Sequence, residues 1–373
     1  MIFLPLFFYR IIPISVISCL NGRMKIAMLI SGGVDSSVSL RLLKDAGHDI
    51  TAFYLKIWLE DELSFLGECP WEEDIEYVSR VCREAGVPFE VVPFQKEYWE
   101  RVVSYVIEEA RLGRTPNPDV FCNAWIKFGI FYDRFGKDFD KVATGHYAQT
   151  EERDGLSVLK KSPDPVKDQT YFLSRLTQAQ LSKALFPIGK YRKEEVRELA
   201  RTYDLPNAER KDSQGICFLG AVAFDKFLEH YLGTKEGDIM DMKTGKKIGR
   251  HRGYWFHTIG QRRGLGLSGG PWYVAGKDMA SNTVLVSNAW RSEEMERSEF
   301  AVCELSWIAG VPPEKTRLSV KIRHGAKEYP CDIVFGENGD LTVKLDGSDR
   351  GIASGQIAAF YDGDYCLGSG IIA

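Results

Sequence analysis

Residues 26–37, Ile-Ala-Met-Leu-Ile-Ser-Gly-Gly-Val-Asp-Ser-Ser, set an apolar strand directly against a Ser-Gly-Gly turn that opens a helix. Gly32 and Gly33 carry no β-carbon, so the backbone can turn sharply and bring several N–H groups onto one anion, with the positive end of the following helix behind them. Asp35, Ser36 and Ser37 fall in that helix's first turn. Hydroxyls there can bond phosphate oxygens, and a carboxylate is favoured by the helix dipole and can hold a magnesium ion. A simple helix cap would explain one Ser or Asp but not the glycine pair together with the polar triplet. The stretch therefore reads as a phosphate loop.

Outward from that loop, strand and helix alternate. Val34, Val38 and Leu42 mark one face of a helix ended by Gly47, and Ile50 to Trp58 reads as a second strand. Ile75, Val78, Cys82 and Ala85 form the next helical stripe, Phe89 to Pro93 a third strand, Glu97 to Leu112 another helix, and Lys141 to Thr144 a buried strand ending at Gly145. This βαβ grammar predicts an α/β domain with a doubly wound parallel sheet and ligands at the carboxyl ends of its strands, where Ser31, Leu55 and Gly145 fall. Beyond about residue 215 the grammar changes to short, glycine-punctuated segments, which predict a small central domain and a C-terminal β-barrel. The expected divisions are an extension over 1–23, an ATP-binding catalytic domain over 24–215, a central domain over 216–291 and a barrel over 292–373.

The kind of phosphate loop follows from a missing residue. In the kinase-like pattern Gly-Lys-Ser/Thr a lysine reaches the terminal phosphates, whereas here no lysine follows Gly33 until Lys44. A loop of this kind suits an enzyme in which pyrophosphate leaves, and it resembles the signature of the PP-loop ATP pyrophosphatases, which adenylate a carbonyl oxygen and then displace AMP.

Composition sets outer bounds. The 373 residues are 44% hydrophobic and 27% charged, ordinary globular material with length for two or three domains. A net charge of -4 excludes a chain that is basic throughout, so a nucleic-acid partner needs a local patch. Seven Lys/Arg and no acid lie between Lys243 and Arg263, interleaved with Tyr254, Trp255 and Phe256. That strip suits phosphate contact with base stacking, against the alternative that the aromatics are core. Residues 1–23 are apolar and free of acids but broken by Pro5, Arg10 and Pro13, so no membrane span is expected there. A mis-assigned start before Met24 or a short targeting stretch would explain them. A bacterial cytoplasm is the expected location, with an organelle as the alternative.

The eight cysteines (19, 69, 82, 122, 217, 303, 331 and 366) show no CxxC pair and no metal-ligand rhythm, and no metal-binding cluster is expected. Two stand in polar surroundings. Cys122 follows a stiff proline loop, Thr115-Pro-Asn-Pro-Asp-Val-Phe-Cys-Asn123, leading to a helix expected over 124–135, so that Asp119 and Cys122 lie near a helix N-terminus, which favours a thiolate. Cys217 sits after a flexible Gly215 in Lys211-Asp-Ser-Gln-Gly-Ile-Cys-Phe-Leu-Gly220. Inert burial is the competing reading for both, and core packing is expected for Cys82 and Cys303.

SGGVDSS, TPNPDVFCN, ATGHYA, KDQTYFL, DSQGICFLG and TIGQRRGLGL occur in the order seen in the tRNA-specific 2-thiouridylases, which this chain resembles from Met24 to its C-terminus. The resemblance implies ATP binding by Leu29, Ile30, Ser31, Gly32, Gly33, Val34, Asp35, Ser36, Leu55 and Gly145, with Mg2+ accompanying the nucleotide. It places Asn117, Pro118 and Asp119 at the target base, Cys122 as nucleophile and Cys217 as persulfide carrier; Asp119, three residues before the Cys122 thiol, is the acid/base candidate, with helix capping as its other role. It assigns tRNA contacts to Lys167, Asp168, Gln169, Arg323 and His324. The implied reaction thiolates the wobble uridine of tRNA, with sulfur from a cysteine desulfurase or relay protein, in an enzyme expected to be monomeric. Leu29-Ile30 stand where relatives often have a small residue and Met, His324 replaces a more usual aromatic hydroxyl residue, and the acidic insertion from Trp58 to Trp71 has no assigned role. Two readings stay open beside this one: another adenylating PP-loop synthetase using ammonia or an amino acid, and an RNA-binding protein with a dead nucleotide site.

Overall fold

The computed structural model describes residues 22–57, 71–212, 224–288, 296–336 and 339–373. Cys217 and residues 58–70 of the Trp58–Trp71 insertion lie outside these residues, as do residues 1–21.

The first sheet carries the phosphate loop. Strand β1 (Lys25–Leu29) leads into helix α1 (Val34–Asp45), and β2 (Asp49–Lys56) into α2 (Trp71–Ala85) and β3 (Phe89–Pro93). A continuous helical run, α3 (Gln95–Tyr98, Trp99–Val103, Ser104–Arg111), precedes a second, α4 (Pro118–Phe121, Cys122–Ile130, Phe131–Arg134); each is widened to π-helix over its middle portion. Strand β4 (Lys141–Ala143), the hairpin β5 (Ala148–Arg153) and β6 (Leu156–Lys161), strand β7 (Ala184–Leu185) and helix α5 (Lys193–Thr202) complete this part. The sheet runs β3-β2-β1-β4-β7, all neighbours parallel. The chain therefore winds one way from β1 and then the other, and the switch point falls between β1 and β4, where such sheets bind ligands. Ile26, Met28, Val38, Leu43 and Val78 are buried on one side of the sheet, and Ala27, Phe53, Phe94 and Phe131 on the other. Burial on both faces explains why β1 reads as a continuous apolar run. The expected α/β doubly wound domain is present.

Helix α6 (Phe224–Leu232) leads into a four-stranded sheet of β8 (Gly237–Asp241), β9 (Lys247–His251), β10 (Trp272–Asp278) and β11 (Thr283–Asn288). Six further strands follow: β12 (Arg297–Trp307), β13 (Arg317–Lys321), β14 (Tyr329–Phe335), β15 (Leu341–Asp349), β16 (Ile357–Asp362) and β17 (Tyr365–Ile372). The order β12-β15-β14-β13-β16-β17 closes through β12–β17 pairing into the expected barrel. The β5–β6 hairpin, which the sequence places with the first domain, hydrogen-bonds to β17 through Leu159 and Lys160 and so extends the barrel's sheet. Helix α4 begins at Pro118, six residues before the expected start at 124, because Asn117 caps it and proline fits the first helical turn. Cys122 consequently sits in the second turn and not ahead of the helix.

Candidate active site

The backbone after β1 turns at Gly32, whose φ of +77° lies in the left-handed region. A β-carbon at Gly32 would come 2.9 Å from the carbonyl oxygen of Asp74 and 3.1 Å from an Arg210 guanidinium nitrogen. Gly33 has an ordinary φ of -78°, so the turn demands glycine only at the first of the pair. Across the switch point Gly145 follows β4, and a β-carbon there would lie 2.7 Å from the backbone nitrogen of Ser36. Glycine at 145 lets the two strand ends approach each other. Leu29 and Ile30 are buried, so only their backbone can border a nucleotide, while Ser31 is exposed. Leu55 is half-buried near the end of β2.

The serine hydroxyls point back into the loop. Ser36 Oγ and Ser37 Oγ each donate to the Gly33 carbonyl at 3.0 Å. They brace the turn, which leaves the anion-facing role to backbone N–H groups. Two residues that sequence reasoning missed brace it from outside: Asn207 Nδ2 donates to the Gly32 carbonyl at 2.8 Å and to Ser37 Oγ at 2.9 Å, and Arg210 donates to the same carbonyl at 3.1 Å while pairing with Asp74 at 2.6 Å.

Asp35 is the centre of a charge network. Its Oδ1 accepts from Tyr147 Oη at 2.8 Å and from Lys193 Nζ at 2.8 Å, and its Oδ2 lies 3.0 Å from the same ammonium. Burial, then the neighbouring Asp35 carboxylate, pushes the Tyr147 phenol far up, so it stays protonated and donates. Lys193 also pairs with Asp212 at 2.7 Å, and Lys167 and Arg197 each reach Asp212 at 2.6 Å. Burial opposes ionisation of Asp212, but Lys167 and Lys193 hold its carboxyl well below the usual range. No group of three or more His, Cys, Asp or Glu able to hold a metal exists among the described residues. A single carboxylate in the first turn of α1 does suit Mg2+, which takes one or two carboxylates and completes its shell with phosphate oxygens. Asp35 is the residue that would hold it.

The cysteine loop is held by the barrel. Thr115 N donates to the Ser354 carbonyl at 2.8 Å. Asn117 accepts from Val120 N as helix cap and donates through Nδ2 to Tyr171 Oη at 3.3 Å, while Tyr171 Oη donates to the Ile357 carbonyl at 3.1 Å. Pro118 is buried, Asp119 half-buried in the first turn, and Cys122 1% exposed. The thiol of Cys122 is therefore enclosed in this arrangement. Its partner in the resemblance, Cys217, lies outside the described residues.

The Lys167-Asp168-Gln169 stretch, expected at the tRNA, is engaged by partners within the protein. Asp168 is 2% exposed, pairs with Lys321 at 2.9 Å, and accepts from Thr170 Oγ1 and Ser162 N. Gln169 Oε1 accepts from Tyr147 N at 2.9 Å, and the Gln169 amide donates to the Tyr147 carbonyl. The Asp168–Lys321 pair ties the phosphate-loop domain to the barrel, while Gln169, half-buried, braces the backbone at Tyr147. Lys167, one-third exposed, is engaged by Asp212. Arg323 makes a bidentate pair with Asp349 at 3.0 and 2.7 Å and lines a cleft of about 520 Å³ with Lys327 and Arg350. His324 packs against Phe172, ring centroids 4.5 Å apart with the planes tilted by 32°, and burial lowers its pKa.

The basic strip is also partly neutralised. Lys247 pairs with Asp238, Arg250 with Glu236, and Arg252 with Asp225 and Glu229. Tyr254 and Phe256 are buried, and Tyr254 Oη donates to the Arg111 carbonyl at 2.6 Å, so these two aromatics are core and are not stacking platforms.

A lysine-free glycine turn at the switch point of a parallel sheet, followed by two β-structured units, defines a PP-loop protein of the HUP class. Residues 24–221 match the family described as tRNA methyl transferase HUP domain, 225–288 its PRC-barrel domain, and 297–372 the aminomethyltransferase β-barrel domain. Curated relatives named tRNA-specific 2-thiouridylase MnmA include one from Parabacteroides distasonis, 50% identical over 359 residues, which cover 94% of this chain and 99% of that one. One from Porphyromonas gingivalis is 50% identical over 362 residues, with 94% and 99% covered, and one from Bacteroides thetaiotaomicron 47% identical over 355 residues, with the same coverage. The chain belongs to the tRNA-specific 2-thiouridylase family.

Proposed function

We propose that this protein is an ATP-dependent sulfurtransferase that converts the wobble uridine of tRNA to 2-thiouridine. The observation that carries the reading is the Gly32 turn facing Gly145 at the switch point, in a chain half identical over most of its length to 2-thiouridylases. A uracil carbonyl is a poor electrophile. Backbone N–H groups at the turn and the start of α1 stabilise the phosphates while the C2 oxygen attacks the α-phosphorus and pyrophosphate leaves. Bound Mg2+, held by Asp35, would supply further neutralisation of the leaving group.

Sulfur then replaces the adenylated oxygen. The terminal sulfur of a Cys217 persulfide bonds to C2, and AMP departs with the former carbonyl oxygen. The Cys122 thiolate attacks Cys217 Sγ, the sulfur–sulfur bond breaks with its electron pair going to the transferred sulfur, and a Cys122–Cys217 disulfide forms, which a dithiol reductant reopens. Asp119, in the first turn of the same helix as Cys122, is placed by sequence to move the accompanying proton. Asn117, Pro118 and Asp119 meet the base, Arg323 and His324 the tRNA, and a cysteine desulfurase or relay protein loads Cys217 of a monomeric enzyme. No described helix is long and apolar enough to cross a membrane.

The test is incubation of the reduced protein with ATP, Mg2+, unmodified tRNA and a persulfide donor, followed by nucleoside mass spectrometry, which separates sulfur-for-oxygen exchange from an added methyl group. The expected product is 2-thiouridine, lost in Cys217→Ser. Its absence from folded protein, or full activity in Cys217→Ser, contradicts the proposal.

A further inference from the structure

The PP-loop lacks the lysine that other phosphate loops place beside the terminal phosphates, yet an ammonium lies against its first helical turn. It belongs to Lys193, 158 residues away in sequence, whose side chain is 14% exposed and bridges Asp35 and Asp212. Its placement is not explained by the helix that bears it. Lys193 is the first residue of α5, where the helix dipole disfavours a cation. The chain compensates with three carboxylates: Asp35 and Asp212 on the ammonium, and Asp164, which accepts from the Lys193 backbone N–H at 3.1 Å. Arg197, one turn along the same helix, and Lys167 share Asp212 with it. A positive charge is thus maintained, against the local helix field, 2.8 Å from the carboxylate that opens α1.

We propose that Lys193 is the cation of this phosphate loop: when nucleotide binds, its ammonium passes from Asp35 to the β- and γ-phosphates, and Asp35 is freed for the magnesium those phosphates carry. The exchange conserves charge. Lys193 gives up one carboxylate for phosphate oxygens, Asp35 replaces an ammonium by a divalent ion, and Asp212 keeps Lys193, Lys167 and Arg197 as partners. The same ammonium then neutralises pyrophosphate as it leaves. The inference rests on the loop's binding ATP and is independent of what the activated carbonyl later receives.

Calorimetric titration of the full chain with Mg2+-pyrophosphate, Mg2+-ATP and AMP, without tRNA, tests it in Lys193→Gln and Lys193→Arg. Lys193→Gln is expected to weaken pyrophosphate and ATP at least tenfold and AMP less than twofold, because AMP lacks the phosphates concerned; Lys193→Arg is expected to recover most of the loss. Equal weakening of all three ligands, or unchanged pyrophosphate affinity, overturns the proposal. Wild-type protein that binds neither ATP nor pyrophosphate overturns the loop assignment as well. If Lys193→Gln does not fold, Asp212→Asn decides: removing a competing carboxylate should tighten pyrophosphate at least twofold, and unchanged or weaker binding counts against the idea.

Discussion

Replacing Lys321 by methionine should destabilise the protein by about 3–5 kcal/mol, the cost of stranding one member of a buried ion pair. Lys321 and Asp168 are 3% and 2% exposed, and their charged atoms lie 2.9 Å apart. At an effective dielectric constant near 20 their direct attraction is about 6 kcal/mol, most of it offset by the desolvation of both groups. Among the described residues, Lys321→Met leaves the Asp168 carboxylate the Thr170 hydroxyl and the Ser162 amide as hydrogen-bond partners. Asp168→Asn is milder, since Lys321 keeps Glu328 at 3.7 Å and the Tyr361 ring at 5.2 Å. The double variant Asp168→Asn/Lys321→Met buries no charge at either position and should recover about 1–3 kcal/mol relative to the sum of the singles. Urea unfolding of the four proteins measures the cycle, and filter binding of tRNA under native conditions measures the alternative role of Asp168. A Lys321→Met variant within about 1 kcal/mol of wild type would refute the clamp, as would an Asp168→Asn variant of unchanged stability that no longer holds tRNA.

Three further outcomes are expected. Gly145→Ala drives a methyl group against Ser36 N and should weaken ATP binding at least tenfold by titration, whereas undiminished affinity would show that the strand ends need not approach so closely. Burial lowers Lys277 to about 8. The unfolded chain then holds a proton that the folded one has released, so between pH 8 and about 10 stability rises with pH, by roughly 1.4 kcal/mol per unit at most. Lys277→Met should remove that slope in melts across this range, and parallel curves for the two proteins would contradict it. Cys122→Ser should still release pyrophosphate when tRNA is added but form no 2-thiouridine; normal thiolation would remove Cys122 from the mechanism.

The α/β sheet was legible because its code is local: an apolar run, a glycine turn and a 3.6-residue stripe sit within twenty residues of one another. The barrel's turns were equally local. The bracing of the loop was not, since Asn207 and Arg210 lie 175 and 178 residues from Gly32 and carry no periodic signal. The burial of Asp168 was equally illegible, since its ion-pair partner Lys321 lies 153 residues further along the chain. For Tyr254 and Phe256 the sequence left base stacking and core packing both open, because a basic run does not tell which way alternate rings point; they pack inward. The one local hint of Lys193 is a lysine opening an acid-rich helix, a position its own dipole disfavours.

Oxygen tracing addresses the central claim most directly. Transfer RNA carrying 18O at C2 of the wobble uridine, incubated with the protein, ATP and a persulfide donor, should yield AMP bearing the 18O in its phosphate, in step with 2-thiouridine formed. Thiolation with the label released as water, or AMP free of label, would contradict activation of the carbonyl by adenylation.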